Sequence, residues 1–288
     1  MKTPAFYLLL LITLGLLAWG TYQALEVAPA EATMGDAQRI FYYHVPAATA
    51  ASILFGVNFL ACIWYLLRRS QQADALAVAA AEVGVVFFGV VLISGPIWAR
   101  YAWGTFWVWD ARLTTSLILW LLYVSYLVLR SSSESGSTSV LAACLGIFAA
   151  LDMPIVYMSN RWFRTNHPQP MIGTPNLNPD MQKVLLWNML AFVLFSLLIA
   201  WFRYDLERTS QKINALHVKR AARGSMAMTM LAPAVFLFAD DKLVQEKMIQ
   251  HRYMVIGYIA VWTVYLGYLL FLFAKLQRLK REGAEVGL

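Results

Sequence analysis

Between Tyr101 and Thr114 the chain reads Tyr-Ala-Trp-Gly-Thr-Phe-Trp-Val-Trp-Asp-Ala-Arg-Leu-Thr. It sets Tyr101, Trp103, Phe106, Trp107 and Trp109 within nine residues. An aromatic belt at a membrane–water interface uses Trp and Tyr sparingly, at helix ends; five aromatics in close succession ask for another task. Read as a helix, the stretch places Trp103, Phe106, Trp107 and Asp110 on one face at i, i+3, i+4 and i+7. Such a face is an apolar slab edged by a carboxylate. It suits a large planar aromatic ligand, held by offset stacking and edge contacts. Two charged residues follow. Asp110 can cap a helix starting near Leu113 by accepting its free amide hydrogens. Arg112 can snorkel to the interface or hold a ligand carboxylate through two parallel hydrogen bonds.

The chain has four histidines. His44 sits in Arg39-Ile-Phe-Tyr-Tyr-His-Val-Pro46 and His167 in Arg161-Trp-Phe-Arg-Thr-Asn-His-Pro168. A lone interfacial histidine serves by default as a hydrogen-bonded structural residue. Two on one face, flanking an aromatic slab, form a candidate ligand pair, because neutral imidazoles can bind a haem iron from both sides. A zinc site would need a third or fourth ligand at sensible spacing, and none accompanies them. His217 and His251 fall in polar flanks and read as solvated. Arg100, Arg161 and Arg164 share the outer face with the pair, either as interface anchors or as partners for propionates. Asp152, inside an apolar run beside Pro154, marks a packing network or functional position by its cost there. Cys62 and Cys144 lie inside apolar runs without metal-site spacing, so they read as packing residues. Phosphate-binding glycine loops, the nucleophile elbow and the His-Glu-x-x-His pattern are absent, so no ATPase or hydrolase site is visible.

The elements that must position these residues are membrane spans. The 288 residues are 60% hydrophobic and 14% charged, against about 25% charged in a soluble domain. Apolar runs near 5–22, 46–67, 83–100, 115–129, 139–158, 184–202 and 253–274 approach or reach bilayer length, roughly 20 residues of helix. A shorter run at 226–239 contains Pro233. The first run lacks a persuasive cleavage site and reads as a retained helix. The net charge of +7 is explained by topology, since Lys and Arg stay on the cytoplasmic side. With the N-terminus inside, most basic residues fall in inside segments, above all 203–223 and 275–281. Segments 23–45, 101–114 and 159–183 then share the outer face, where loops on a rigid scaffold gather function. A basic tail on the inside requires an even number of crossings, so 226–239 is expected to cross and give eight spans. The fold class is an all-α polytopic membrane helix bundle, with six core spans and a C-terminal extension of one or two spans.

At this point the residues match a known family. Trp103-Gly-Thr-Phe-Trp-Val-Trp-Asp-Ala-Arg-Leu-Thr114 resembles the tryptophan-rich WWD signature of haem-handling proteins in cytochrome c biogenesis. Within that superfamily the six-span plan resembles CcmC. The flanking text agrees: Arg39 to Ala48, and Met153-Pro-Ile-Val-Tyr-Met-Ser159 leading into Arg161 to Pro168. The resemblance covers residues 1–205, with three motifs in the family's order. Phe106 and Phe163 stand where the family usually has tryptophan; both keep an aromatic face.

The resemblance implies that His44 and His167 are axial ligands to the iron of haem b. It implies a haem-presenting platform in the Trp-rich loop, with Trp103, Trp107, Trp109, Asp110 and Arg112 around the cofactor. The implied function is to bind haem at the periplasmic face of the bacterial inner membrane and deliver it to a CcmE-like periplasmic chaperone. ATP hydrolysis is expected from CcmA- and CcmB-like partners, and the chain itself makes a transfer site rather than a catalyst. Residues 206–225 read as a basic cytoplasmic linker. Residues 226–288, with Arg252-Tyr-Met-Val-Ile-Gly-Tyr-Ile-Ala-Val-Trp262, are similar to the one-span partner CcmD and read as a fusion. The alternatives are a haem-b electron-transfer subunit of quinol oxidoreductase type, a solute transporter, and a haem lyase of the same superfamily. The first expects histidine pairs stacked across the bilayer. The second expects broken helices with polar groups at mid-membrane. The third expects a longer chain with more spans and histidines.

Overall fold

The structure, a computed structural model, describes residues 4–131, 136–169, 172, 174–175, 177–221 and 246–286. In chain order the helices are α1 Pro4–Tyr22, α2 Phe41–Arg68, α3 Gln71–Trp103, α4 Ala111–Ser131, α5 Gly136–Ala150, α6 Asp152–Trp162, α7 Pro179–Ala221 and α8 Glu246–Val286. A π-turn at Gln23–Val27 extends α1, and a 3-10 turn at Asp36–Ile40 leads into α2. Among the described residues, seven helices are long and apolar enough to cross a membrane. A helix satisfies all its backbone groups internally, which is the condition for crossing lipid. The expected all-α polytopic bundle is what is found. The expected crossing at 226–239 lies outside the described residues.

Two of these helices make one span. α5 and α6 together form Ser139–Trp162, interrupted at Leu151, whose N–H reaches back to the Phe148 carbonyl at 3.1 Å. Pro154 has no N–H to give the carbonyl four residues earlier, which accounts for the break. Conversely, α7 continues past the membrane to Ala221. The stretch expected as a linker is therefore helical as far as 221. Its Lys, Arg, Gln, Glu and Leu are all good helix formers.

The centre of the bundle is α2, α3 and α7, with α1 against α7 and the α4–α5–α6 group on the other flank. The α2–α3 hairpin is set by its turn. Arg69 takes a left-handed φ of 51° and its N–H bonds to the Tyr65 carbonyl at 2.8 Å. Ser70 Oγ then accepts the Ala73 N–H at 3.4 Å and starts α3. Both helices carry small buried residues: Ala47, Ala50 and Ala51 on α2, Ala77, Ala80 and Ala81 on α3. Small side chains let backbones approach, which replaces the hydrophobic drive that lipid does not supply. Gly84 shows how closely: a Cβ there would meet the Phe55 ring at 2.6 Å. Phe55 in turn stacks on Tyr123 of α4 at 3.8 Å between centroids.

At the end of the bundle where α2 gives way to α3, polar residues knit the helices together. Asp74 accepts from Arg130 at 2.7 Å and from Gln211 at 3.1 Å. About two turns deeper, Arg203 is 2% exposed and sits between Glu82 and Glu207, each at 2.8 Å. The Tyr268 hydroxyl donates to the other Glu82 oxygen at 2.9 Å. That bond fastens α8 to α3, and Tyr265 wedges beside Phe87, Phe192 and Phe195.

Candidate functional site

The opposite end of the bundle gathers the residues singled out by their chemistry. α3 stops at Trp103 because Gly104 takes a left-handed φ of 74°, a conformation that only glycine adopts freely. The Arg100 guanidinium donates to the Gly104 carbonyl and lies over the Phe106 ring at 5.5 Å. Trp103 packs edge-on against Trp98 of its own helix, 5.3 Å between centroids and 83° between planes. Residues 104–110 are irregular. The single helical face expected for Trp103, Phe106, Trp107 and Asp110 is therefore not formed, because Gly104 ends the helical periodicity after the first of them. What the loop builds instead is a Trp107–Trp109 pair, edge-to-face at 5.7 Å. Trp109 is 76% exposed and Phe106 is also exposed, whereas Trp107 is half-buried. The Trp107 Nε1–H is buried with no hydrogen-bond acceptor in the protein. An unpaired buried donor costs free energy, so it marks a place where a ligand acceptor would be welcome.

Asp110 ends this loop with both carboxylate oxygens engaged. Oδ1 accepts the Leu113 N–H at 2.9 Å and so caps α4. Oδ2 accepts the Asn166 N–H, also at 2.9 Å, from the loop that carries His167. Arg112 donates one N–H to the Val156 carbonyl, joining α4 to α6. Its guanidinium is half-buried and keeps further N–H groups for another partner. Arg161 lies over the Tyr157 ring at 4.9 Å, an anchoring role, and Arg164 is exposed. Asp152 opens α6 with its Oδ2 buried and unpartnered.

His44 lies in the first turns of α2, half-buried, against α3. Its Nδ1 is 3.0 Å from Ser94 Oγ. The Ser94 hydroxyl proton is already given to the Val90 carbonyl at 2.7 Å, so Ser94 can only accept from His44. That assigns the proton to Nδ1 and leaves the Nε2 lone pair bare. Gly95 makes room for the ring: a Cβ there would stand 3.2 Å from His44 Cε1.

His167 reaches the same protonation pattern by another route. Its Nδ1 is 2.9 Å from the Pro168 carbonyl, which can only accept. Asn160 Nδ2 lies 3.3 Å from the same nitrogen but, being a donor, bonds instead to that carbonyl at 2.9 Å. Nδ1 therefore carries the proton, and Nε2 is again bare. Burial, and next the nearby Arg112 charge, push the His167 pKa below the ordinary imidazole value; the Pro168 carbonyl and Asp110 pull partly against them. Arg112 and His167 lie within electrostatic reach of His44. Imidazoles whose Nδ1–H is committed to an acceptor present Nε2 to a metal with fixed ring orientation. Among the described residues no group of three or more His, Cys, Asp or Glu is disposed to hold a metal ion; the pair would have to bind iron with the rest of its coordination supplied by a macrocycle.

The structure thus brings His44, His167, Asp110 and Arg112 together at one end of the bundle, with the Trp103–Trp109 loop beside them. Sequence reading passed over Ser94, Gly95, Asn160 and Asn166. Ser94 and Gly95 carried a signal, a polar and a minimal residue just before Pro96 in an apolar run. The asparagines carried none, because their partners are set by tertiary contact.

Comparison with known proteins places the greater part of the chain in one family. A family model described as CcmC, Heme exporter protein C, matches residues 1–221. The chain is similar to heme exporter protein C of Bradyrhizobium diazoefficiens, 33% identical over 224 residues that cover 76% of this chain and 84% of that protein. It is similar to heme exporter protein C of Haemophilus influenzae, 32% identical over 231 residues, 77% of this chain and 90% of that one. A putative cytochrome c biosynthesis ccmC-like mitochondrial protein of Marchantia polymorpha is 34% identical over 158 residues, covering 55% of this chain and 67% of the relative.

Proposed function

The chain belongs to the heme exporter protein C family, and from that premise we propose that it holds haem b between His44 and His167 and passes it to a periplasmic haem chaperone. Membership carries a role in haem handling for cytochrome c biogenesis, performed by a multi-span membrane protein. Haem is cargo in this reading, received and given up at one end of the bundle.

The observation that carries the reading is the matched state of the two imidazoles. Each commits Nδ1–H to a fixed acceptor, Ser94 Oγ or the Pro168 carbonyl. Each therefore offers a neutral Nε2, the form in which histidine binds iron. The groups around them suit the rest of the molecule. Trp107 offers a buried indole N–H without an acceptor, and Arg112 has N–H groups left after Val156; both can hold propionates, Arg112 as the charged partner. Trp103, Trp107 and Trp109 supply aromatic edges for the porphyrin. The exposed Trp109 and Phe106 give the chaperone a surface on which to meet the haem edge.

In this reading the site faces the periplasm from a bacterial inner membrane, and the inside end is the one bearing Asp74, Arg130 and Arg203. A CcmE-like chaperone takes the haem, and CcmA- and CcmB-like partners supply ATP hydrolysis. Residues 1–205 form the haem-handling domain, and 226–288 supply in the same chain a CcmD-like span, of which α8 is the described part.

The test is spectroscopic. Protein purified with its haem should show the absorption bands of a six-coordinate, low-spin, bis-histidine haem. Replacing His44 and His167 together with alanine should abolish both the bands and the co-purifying haem. Undiminished haem in the double variant would end the axial-ligand assignment.

A further inference from the structure

The His167 segment is tied mostly to itself. His167 bonds to its own neighbour Pro168, and Thr165 Oγ1 bonds to the His167 carbonyl at 3.4 Å. Asn160 and Gln169 bind the segment back to the end of α6. None of these bonds fixes where the imidazole stands relative to His44 across the bundle. One bond does reach across: Asn166 N–H to Asp110 Oδ2, joining residues 56 apart in sequence. The same carboxylate caps α4 through its other oxygen. The α4–α6 contact itself has a separate fastening, Arg112 on the Val156 carbonyl. The second oxygen of Asp110 is therefore surplus to holding the helices, and it is spent on the residue next to His167.

We infer that Asp110 is a positioning residue for His167: one oxygen caps α4 and the other latches the Asn166 N–H, setting the imidazole opposite His44. This rests on the reading of His167 as an iron ligand. A cap alone would need only one acceptor, and serine, threonine or asparagine would supply it as well. The latch needs a side chain that accepts at two places at once. Among short side chains a carboxylate does this, because it is all acceptor, whereas an amide turns one of its two ends into a donor. The arrangement also makes the Trp107–Trp109 segment and the His167 loop share an anchor, since the segment runs directly into Asp110.

The test uses the full chain with Asp110→Asn and Asp110→Ser, which retain a cap, beside Asp110→Ala, which retains neither function. Asp110→Asn and Asp110→Ser should both lower haem affinity about 10-fold, the low end for loss of an outer-shell partner. Their spectra should show part of the low-spin band converted to high-spin, and added free imidazole should restore it. In haem-free protein, amide hydrogen exchange at Asn166 and His167 should speed up while the first turn of α4 stays protected. Wild-type spectra and exchange in both cap-retaining variants would overturn the latch. So would defects confined to Asp110→Ala and accompanied by fraying of α4, which would leave Asp110 as a cap only. Failure of the underlying reading looks different. If His167→Ala leaves the wild-type spectrum unchanged, His167 is not a ligand, and the exchange arm still decides whether Asp110 holds the loop.

Discussion

Ser94 accepts from His44 rather than donating to it. Its hydroxyl proton is committed to the Val90 carbonyl at 2.7 Å, so the 3.0 Å contact to His44 Nδ1 must be filled by the imidazole proton. A serine bonding back to the carbonyl four residues earlier is common in membrane helices. Here that bond leaves the oxygen with only lone pairs to offer, which chooses the histidine tautomer. The proton is thereby kept on the nitrogen that points into α3.

Replacing Ser94 with alanine removes that acceptor and frees the ring to rotate or to swap tautomers. We expect haem affinity to fall 10- to 100-fold, on the order seen when outer-shell partners of metal-binding histidines are lost. Titration of haem-free protein with haem measures this directly. An Ser94→Ala variant that binds haem as tightly as the parent would show that Ser94 does not control His44.

Gly95 tests the same ring from another side. A Cβ at 95 would stand 3.2 Å from His44 Cε1, so Gly95→Ala must push the imidazole by a few tenths of an ångström, and Gly95→Val further. The backbone at 95 is helical, but Pro96 follows it, and a Cβ on the residue before a proline is crowded in the helical region, which offsets the higher helix propensity of alanine. The expected result is a separation of effects: unfolding temperature close to the parent's for alanine, haem occupancy reduced, and valine worse than alanine. Equal haem occupancy in all three proteins would place the ring elsewhere.

How much of this was legible beforehand depends on the range of the interactions. The spans were, because each apolar run declares itself within about 20 residues. So was the Asp110 cap, since its acceptor and the Leu113 N–H are three residues apart. The gathering of 101–114 and 159–169 at one end followed from counting crossings. What was not legible is what crosses the bundle. Asp110 to Asn166 and His44 to Ser94 join residues 56 and 50 apart, and no local pattern announces either. The helical face drawn through Trp103 and Trp107 failed for a local reason. Gly104 permits helix or left-handed turn, and the turn wins where Arg100 closes onto its carbonyl. At 206–221 the basic stretch that reads as a linker continues α7 as helix.

Acid should act through His167. Its pKa lies below the ordinary imidazole value because of burial and next because of Arg112. The imidazole therefore stays neutral below pH ~6.5, the unperturbed value, and, if His167 holds the iron as proposed, haem retention should be level through that pH and fall only as the lowered value is crossed. Folding stability follows the same sign. The unfolded chain takes up the proton first, so the His167 contribution is unaffected well above pH ~6.5 and turns increasingly unfavourable as acid is added below it, until the folded imidazole is protonated as well. Haem retention measured against pH checks this. A midpoint at or above pH ~6.5 that disappears in His167→Gln would contradict the environment described.

The far end of the bundle predicts a graded set of stabilities. Arg203, 2% exposed, pairs with both Glu82 and Glu207 at 2.8 Å each. Removing it strands two partly buried carboxylates, each 17% exposed, and the loss should approach about 3–5 kcal/mol, the cost of breaking a fully buried pair. Tyr268→Phe removes only the hydroxyl that donates to Glu82. Glu82 keeps its Arg203 partner, so the loss should be about 1 kcal/mol, felt at α8 rather than throughout. Arg203→Ala should therefore unfold in detergent far below the parent, while Tyr268→Phe should unfold near it but show faster proteolysis within 246–286. Combining Tyr268→Phe with Arg203→Ala should cost more than the sum of the two, because the hydroxyl is then taken from a Glu82 carboxylate that has already lost Arg203. Strict additivity would mean that α8 and α7 hold Glu82 independently of each other.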